Sequence, residues 1–297
     1  MLKRISIDRN ITLFSSELSN VNAVLIEYEK HLVCIDTLHR PSDSKELASH
    51  IVAYNKPLRY LINTHGHSDH CLGNRFLKQQ DTHILAHEKF YRTALAESAF
   101  LKNAIKHLSI SRILQPDICF SGDLHLMDSH LTITHAPGHS PDSVVIYLTE
   151  QKILITGDTV LNSDSEKAVI PYFYWGGFDE MLASLQALTM LDIDLVIPGH
   201  GTPCHMDKIQ MDILYLQNFK TLMDDFIEQN ELLPVEKMKE MAAMHVGIED
   251  CLPGLSKREF WVPKMHQLNI ERYIEWKIQG ISVDTLDFSN HIDMNSI

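Results

Sequence analysis

The stretch Thr64-His65-Gly66-His67-Ser68-Asp69-His70 places three imidazoles and a carboxylate in six consecutive positions, His65 to His70. Nitrogen and oxygen donors of this kind suit zinc, iron or manganese. So many titratable groups side by side are awkward without a cation to organise them, so the stretch predicts a metal site and catalysis. The apolar run Leu58-Arg59-Tyr60-Leu61-Ile62-Asn63 precedes it and reads as a strand. The histidines therefore stand where a strand opens into a loop, a common place for function.

Working outward, three further segments end in the same manner. Thr132-Ile133-Thr134-His135-Ala136-Pro137-Gly138-His139-Ser140 leads to His139. Leu154-Ile155-Thr156-Gly157-Asp158-Thr159 leads to Asp158, and Leu195-Val196-Ile197-Pro198-Gly199-His200-Gly201 to His200. Glycine beside each polar residue lets a tight turn present the next side chain into a shared cleft.

The other elements fit an α/β arrangement. Asn22–Tyr28 and His31–Asp36 read as a hairpin turned at Glu29-Lys30. Ser42 to Asn55 reads as a helix with Ser42 or Ser44 as cap and Leu47, Ile51 and Val52 on one side. Cys71 to Gln79, Glu88 to Ser109 and Phe178 to Leu191 read as further helices. Strands are expected at His83–Ala86, His125–Met127, Leu131–Thr134, Ser143–Leu148, Lys152–Thr156 and Asp194–Pro198. From about Met206 the pattern is mainly helical, with Ile281-Ser282-Val283 as one more candidate strand. A soft boundary near Cys204 thus separates a core, 1–205, from a helical C-terminal region, 206–297, packed on it.

Composition narrows the partners. The 297 residues suffice for one large domain, and a hydrophobic content of 44% provides a real core. A formal net charge of −13 argues against nucleic acid or a membrane surface as partner. No stretch approaches the roughly 20 apolar residues of a membrane span. The N-terminal run Met1–Arg9 is charged and lacks a signal-type apolar segment. Cys34, Cys71, Cys119, Cys204 and Cys251 form an odd, scattered set without a CxxC pair, as expected of reduced thiols. The expectation is a cytoplasmic enzyme acting on a small molecule, with a homodimer possible.

The ordered motifs His-x-His-x-Asp-His, Gly-His-Ser, Gly-Asp-Thr and Pro-Gly-His-Gly resemble the metallo-β-lactamase-fold hydrolase superfamily over roughly residues 10 to 205, with Asp36 matching an acidic residue that ends an early strand. The resemblance implies a four-layer αββα sandwich with a two-metal site at one edge. It implies that His65, His67 and His139 hold one ion, that Asp69, His70 and His200 hold the other, and that Asp158 bridges both. Asp36 would orient a ligand imidazole through its other nitrogen. Two divalent ions, zinc first with iron or manganese as alternatives, would share a hydroxide that cleaves an ester, thioester, lactone or amide, and Asp69 would also handle a proton. The bridging aspartate argues against β-lactam hydrolysis as the native task. Leu161, where lactonases of this family carry tyrosine, sets the chain apart from them. A glutathione grip would need C-terminal cations; Lys257, Arg258, Lys264, Arg272 and Lys277 are present without a motif. The alternative readings are a mononuclear iron enzyme of the persulfide-dioxygenase type and a β-lactam-hydrolysing enzyme.

Two aromatic segments remain open between substrate contact and packing. One is Pro171-Tyr172-Phe173-Tyr174-Trp175-Gly176-Gly177, from which Tyr172, Tyr174 and Trp175 are substrate-contact candidates. The other is Phe260 to Asn269, which either reaches over the cleft, packs as a helix or meets a second copy. The helical stretch with Phe90, Tyr91, Leu95, Phe100 and Leu101 reads as core. His83, His87, His107, His125, His130, His135 and His205 read as surface or packing residues, and Cys71 and Cys204 as small buried thiols.

Overall fold

The computed structural model describes residues 2–17, 20–101, 113–163, 167–254 and 257–280. Among them, strands β1 (Leu2–Asp8), β2 (Ile11–Ser16), β3 (Asn22–Glu27), β4 (Leu32–Ile35), β5 (Leu58–Ile62), β6 (His83–His87) and β7 (Ile118–Phe120) form one sheet in that spatial order. Pairing is antiparallel up to β4 and parallel beyond it. Strands β8 (Leu124–Leu126), β9 (Leu131–His135), β10 (Val144–Leu148), β11 (Ile153–Leu161) and β12 (Leu195–His200) form the second sheet, with only β11 and β12 parallel. Parallel neighbours need a crossover. Helix α1 (Pro41–Ala53) makes it between β4 and β5, and the short helices α2 (Ser68–Cys71) and α3 (Asn74–Leu77) lie between β5 and β6. Helix α4 (Phe90–Leu101) follows β6, and α5 (Phe178–Leu188) joins β11 to β12.

The two-residue period of the strands sorts side chains into layers. Val24 and Ile26 of β3 and Val144, Ile146 and Leu148 of β10 point into the space between the sheets, with Ile35, Ile62 and Ile197. Their neighbours face outward. Ala23 and Leu25 are covered by Leu47 and Ile51 of α1. Val145, Leu154 and Val196 are covered by Met181 and Leu185 of α5 and by Tyr215 and Phe219 of α6 (Met206–Gln229). The result is a four-layer αββα sandwich. Helices α7 (Val235–His245), α8 (Ile248–Cys251) and α9 (Val262–Gln279) extend it, and Met238, Ile248, Ile270 and Tyr273 join the apolar cluster beneath the second sheet.

Several elements differ from the sequence reading for local reasons. Helix α1 begins at Pro41, whose fixed φ suits a first turn; Ser44 Oγ instead bonds the Thr37 carbonyl at 2.9 Å. Val52 does not share the buried side of Leu47 and Ile51, being 68% exposed. The expected helix Cys71–Gln79 is broken into α2 and α3. Gly73 comes so close to β4's exit that a Cβ there would lie 2.0 Å from the Thr37 carbonyl oxygen, and its N–H bonds the Leu38 carbonyl at 3.2 Å. Strands β1, β2 and β7 were not expected. Part of Glu88–Ser109, with His107, and all of Ile281–Val283 lie outside the described residues.

The two sheets are tied together at one end. The Val144 N–H, at the start of β10, donates to the Thr64 carbonyl beyond β5 at 2.9 Å. Asn22 Nδ2 donates to the carbonyls of Pro198 and Gly201 at 2.9 and 2.8 Å. The loops leaving β4, β5, β9 and β12 open at this end.

Candidate active site

His65, His67, His139 and Asp158 each offer one donor atom, and these atoms lie within 4.8 Å of one another; Asp69, His70 and His200 form a second set by the same measure. The loop after β5 carries His65 and His67, and α2 carries Asp69 and His70. His139 follows β9, Asp158 lies in β11, and His200 ends β12. All seven residues expected as ligands therefore meet in one place.

Hydrogen bonds on the far side of each ring fix which nitrogen faces inward. His70 Nδ1 donates to Asp36 Oδ2 at 2.8 Å, which leaves Nε2 as the inward lone pair. His139 Nδ1 donates to the Tyr172 carbonyl at 2.9 Å, with the same consequence. Thr64 Oγ1 donates to Asp36 Oδ2 at 2.7 Å and so accepts from His65 Nδ1 at 3.1 Å. His67 is reversed: its Nδ1 points inward, 3.0 Å from both His65 Nε2 and His139 Nε2, and its Nε2 is buried without a hydrogen-bond partner.

Three nitrogen lone pairs directed at one point repel unless a cation lies there. A tetrahedral ion with nitrogens at about 2.0–2.1 Å separates its ligand atoms by about 3.3–3.4 Å. Around the first point the separations are 3.0, 3.0 and, from His139 Nε2 to Asp158 Oδ2, 3.4 Å. Around the second, His70 Nε2 is 3.3 Å from His200 Nε2 and 3.2 Å from Asp158 Oδ1, and His200 Nε2 is 3.3 Å from Asp69 Oδ2. The donor set fits divalent ions.

Charge sorts the histidines. Burial, reinforced by the neighbouring rings, pushes His65 well below the usual imidazole range, and burial with His139 pushes His67 to about 3. Both stay neutral, as ligands must. Burial alone would lower His70 and His200 too, but Asp158 and Asp69 outweigh it and raise both. Those histidines in turn pull Asp158 down against the effect of its burial.

Glycine is required beside Asp158. A Cβ at Gly199 would lie 2.0 Å from Asp158 Oδ1. Gly199→Ala is expected to displace that carboxylate at a cost of about 1–3 kcal/mol. Metal titration of the variant should show weakened binding with an unchanged circular-dichroism spectrum.

Two carboxylates that sequence reasoning missed support the histidine loop from behind. Glu97 of α4 accepts the Ser68 N–H at 2.7 Å and the Ser68 hydroxyl at 3.1 Å, fixing the start of α2. Asp142 accepts from Thr93 at 2.6 Å and Ser140 at 2.7 Å. Burial, with Asp69 nearby, raises Glu97 to about 8, and burial raises Asp142 to about 6. Neither sits in a motif, so burial alone identifies them.

The aromatic segment lies against the centre. Trp175 meets the His67 ring edge-on at 5.4 Å between centroids, Tyr172 is 5.9 Å from His139, and Tyr174 stacks on Tyr172 at 6.3 Å. Phe173 turns the other way, into the core. Asn269 of α9 holds the segment by donating to the Pro171 carbonyl at 2.8 Å and accepting from the Phe173 N–H at 3.2 Å. A cavity of about 560 Å³ opens beside Asp158 and His200, and Trp261, Met265 and Leu268 line it. A smaller cavity of about 130 Å³, lined by Phe173, Gly176 and Arg272 among others, touches none of the seven.

The bystanders stay apart. His87 stacks on His135 at 4.0 Å, and Cys71 Sγ faces the Gly66 carbonyl at 3.7 Å. Cys204 is half-buried, and burial pushes its thiol up to about 12. Among the described residues, no helix is long and apolar enough to cross a membrane.

Residues 17–200 match the family model of the metallo-beta-lactamase superfamily. A probable metallo-hydrolase of Bacillus subtilis, YybB, is 33% identical over 171 residues, covering 56% of this chain and 74% of the relative. A hydroxyacylglutathione hydrolase of Pelagibacter ubique is 24% identical over 172 residues, 58% of this chain and 62% of the relative. Among solved structures, a metallo-beta-lactamase from Pontibacter korlensis aligns with a TM-score of 0.61 at 20% identity, covering 73% of this chain and 100% of that one. That likeness is one of fold.

Proposed function

The chain belongs to the metallo-β-lactamase superfamily and is a metal-dependent hydrolase, and from this premise we propose that it works with two divalent ions, zinc first, on a small ester, thioester, lactone or amide. One observation carries the two-ion reading: Asp158 faces both donor sets. Its carboxylate oxygens lie 3.4 Å from His139 Nε2 on one side and 3.2 and 3.6 Å from His70 and His200 Nε2 on the other. Two ions held there would supply a nucleophile at neutral pH and a Lewis acid for the scissile carbonyl.

In this reading His65, His67 and His139 hold one ion, Asp69, His70 and His200 the other, and Asp158 bridges. Asp36 keeps His70 Nδ1 protonated and Nε2 free. Asp69 is the proposed proton carrier, because its side chain is 31% exposed against 9% for Asp158. Against the effect of burial, His70 and His200 hold its carboxyl well below the usual carboxylate range, so Oδ2, 3.3 Å from His200 Nε2, stands ionised and ready to accept a proton. Tyr172, Tyr174 and Trp175 exclude water beside the histidines. The unpaired cysteines fit a cytoplasmic location.

Metal analysis of the purified protein is expected to give close to two zinc ions per chain. A panel of ester, thioester, lactone, β-lactam and phosphodiester substrates should show turnover confined to acyl compounds. One iron per chain, with oxygen consumed on a persulfide, would replace this reading with the mononuclear one.

A further inference from the structure

The cavity beside Asp158 and His200 is built jointly by the core and the C-terminal region, which supplies most of its apolar side chains, and its chemistry says what it holds. Leu161 and Tyr172 line the side next to the donor sets. Trp261, Met265 and Leu268 line another, and Phe260 completes the lining. Phe260 is 90% exposed although it is a large apolar side chain. Apolar surface left in water beside a reaction centre is the usual mark of a ligand wall.

Beside the donor sets the polar lining is Asn20, Asn162, Ser163, Glu259 and Lys264, and much of it is engaged within the protein, Asn162 Nδ2 donating to the Thr202 carbonyl at 2.9 Å. Glu259 is already engaged, accepting from Ser163 Oγ and pairing with Lys167 at 3.5 Å. Among the described residues Lys264 is the one lysine or arginine lining the cavity, and it donates to Gln267 at 3.3 Å. Gripping a peptide with two carboxylates, such as glutathione, takes several charge-assisted bonds, and this lining does not offer them. An apolar group loses nothing on entering.

Resting on the hydrolase reading above, we infer that this cavity receives a bulky apolar acyl group, a medium-chain alkyl or an arylalkyl chain, of an ester or thioester substrate. Hydrolysis consumes one water, whose oxygen bonds the acyl carbon as the acyl C–O or C–S bond breaks. The alcohol or thiol departs carrying a proton, and the carboxylate, with the water's second proton lost to solvent, stays with its chain in the cavity beside Phe260 and Trp261. A volume of about 560 Å³ accommodates a chain of this size with room for the ester.

The test is a series of N-acetylcysteamine thioesters: acetyl, butyryl, octanoyl and phenylacetyl, with S-lactoylglutathione for comparison. Octanoyl carries more apolar chain than acetyl to bury, so kcat/KM is expected to rise at least about tenfold from acetyl to octanoyl even with partial burial. Phe260→Ser and Trp261→Ala should each lower the octanoyl-to-acetyl ratio several-fold. Phe260 is exposed, so its replacement does not threaten folding. In parallel, tryptophan fluorescence should show octanoate binding more tightly than acetate, a difference weakened in Phe260→Ser. A flat chain-length series, a ratio unchanged in both variants, or a preference for S-lactoylglutathione overturns the inference and leaves the hydrolase reading standing. Selective octanoate binding without turnover of any ester or thioester removes the hydrolase reading and keeps the apolar cavity. Loss of both signals removes both.

Discussion

Asp158→Ala is expected to lower hydrolysis by more than about 100-fold and to leave at most one ion tightly bound per chain. Changes in groups one step removed from a metal typically cost 10–100-fold, and Asp158 stands closer than that. Its carboxylate lies between the two donor sets, within 3.9 Å of the Nε2 atoms of His65, His70, His139 and His200. In the proposed two-ion reading, removing it takes one donor from each ion at once. It also removes the negative charge that, against the effect of burial, raises His70 and His200. Those rings then titrate lower, which by itself would favour metal binding. The lost donor must outweigh that gain, so metal content and rate should fall together. Asp158→Asn separates the effects, since the amide keeps the volume and surrenders the charge. Two ions per chain in both variants, with kcat within tenfold of the parent, would show that Asp158 does not bridge.

How much of this was legible without coordinates depends on where each residue sits. His65 to His70, His139 and His200 stand at strand ends and Asp158 within β11, each inside a few residues that carry their own signature, so local sequence pointed to a shared cleft and the family resemblance to one edge. Glu97 has no such signature. It is one carboxylate among helical residues, 29 positions from the Ser68 it supports, and only the fold brings it there. The wall made by Trp261, Met265 and Leu268 is equally non-local, since helical spacing shows an apolar face but not what faces it. Strands β1 and β2 escaped for different reasons. Leu2–Asp8 lies at the sheet edge with mostly exposed or half-exposed residues, so its apolar alternation is weak. Ile11–Ser16 is buried on both faces, and its short apolar run lacks a period to read. The hairpin of β3 and β4 was readable because charged residues at Glu29-Lys30 interrupt two β-rich runs.

Asp36→Asn is expected to weaken metal binding by about 10–100-fold while the fold survives. Asp36 sits at φ +56°, a left-handed conformation that aspartate and asparagine both tolerate better than alanine. Its Oδ1 accepts the Thr64 N–H at 2.8 Å, and its Oδ2 accepts both Thr64 Oγ1 and His70 Nδ1. Asparagine can preserve the first of these bonds through its carbonyl oxygen. Its amide nitrogen must then face two groups that had donated to a carboxylate, and a donor facing donors forces one of them to turn. If the Thr64 hydroxyl turns, His65 Nδ1 loses its acceptor and the ring its orientation. If His70 turns its protonation around, Nε2 carries the hydrogen and no longer offers a lone pair to the second donor set. Either response disables one ligand without touching it. Asp36→Ala removes every acceptor and adds backbone strain, so it should lower the melting temperature more than Asp36→Asn at a comparable loss of metal affinity. Isothermal titration with zinc and thermal melts of the metal-free variants separate the two effects. Metal affinity equal to the parent in Asp36→Asn would mean that His70 is held by its packing alone, and the role given to Asp36 would fall.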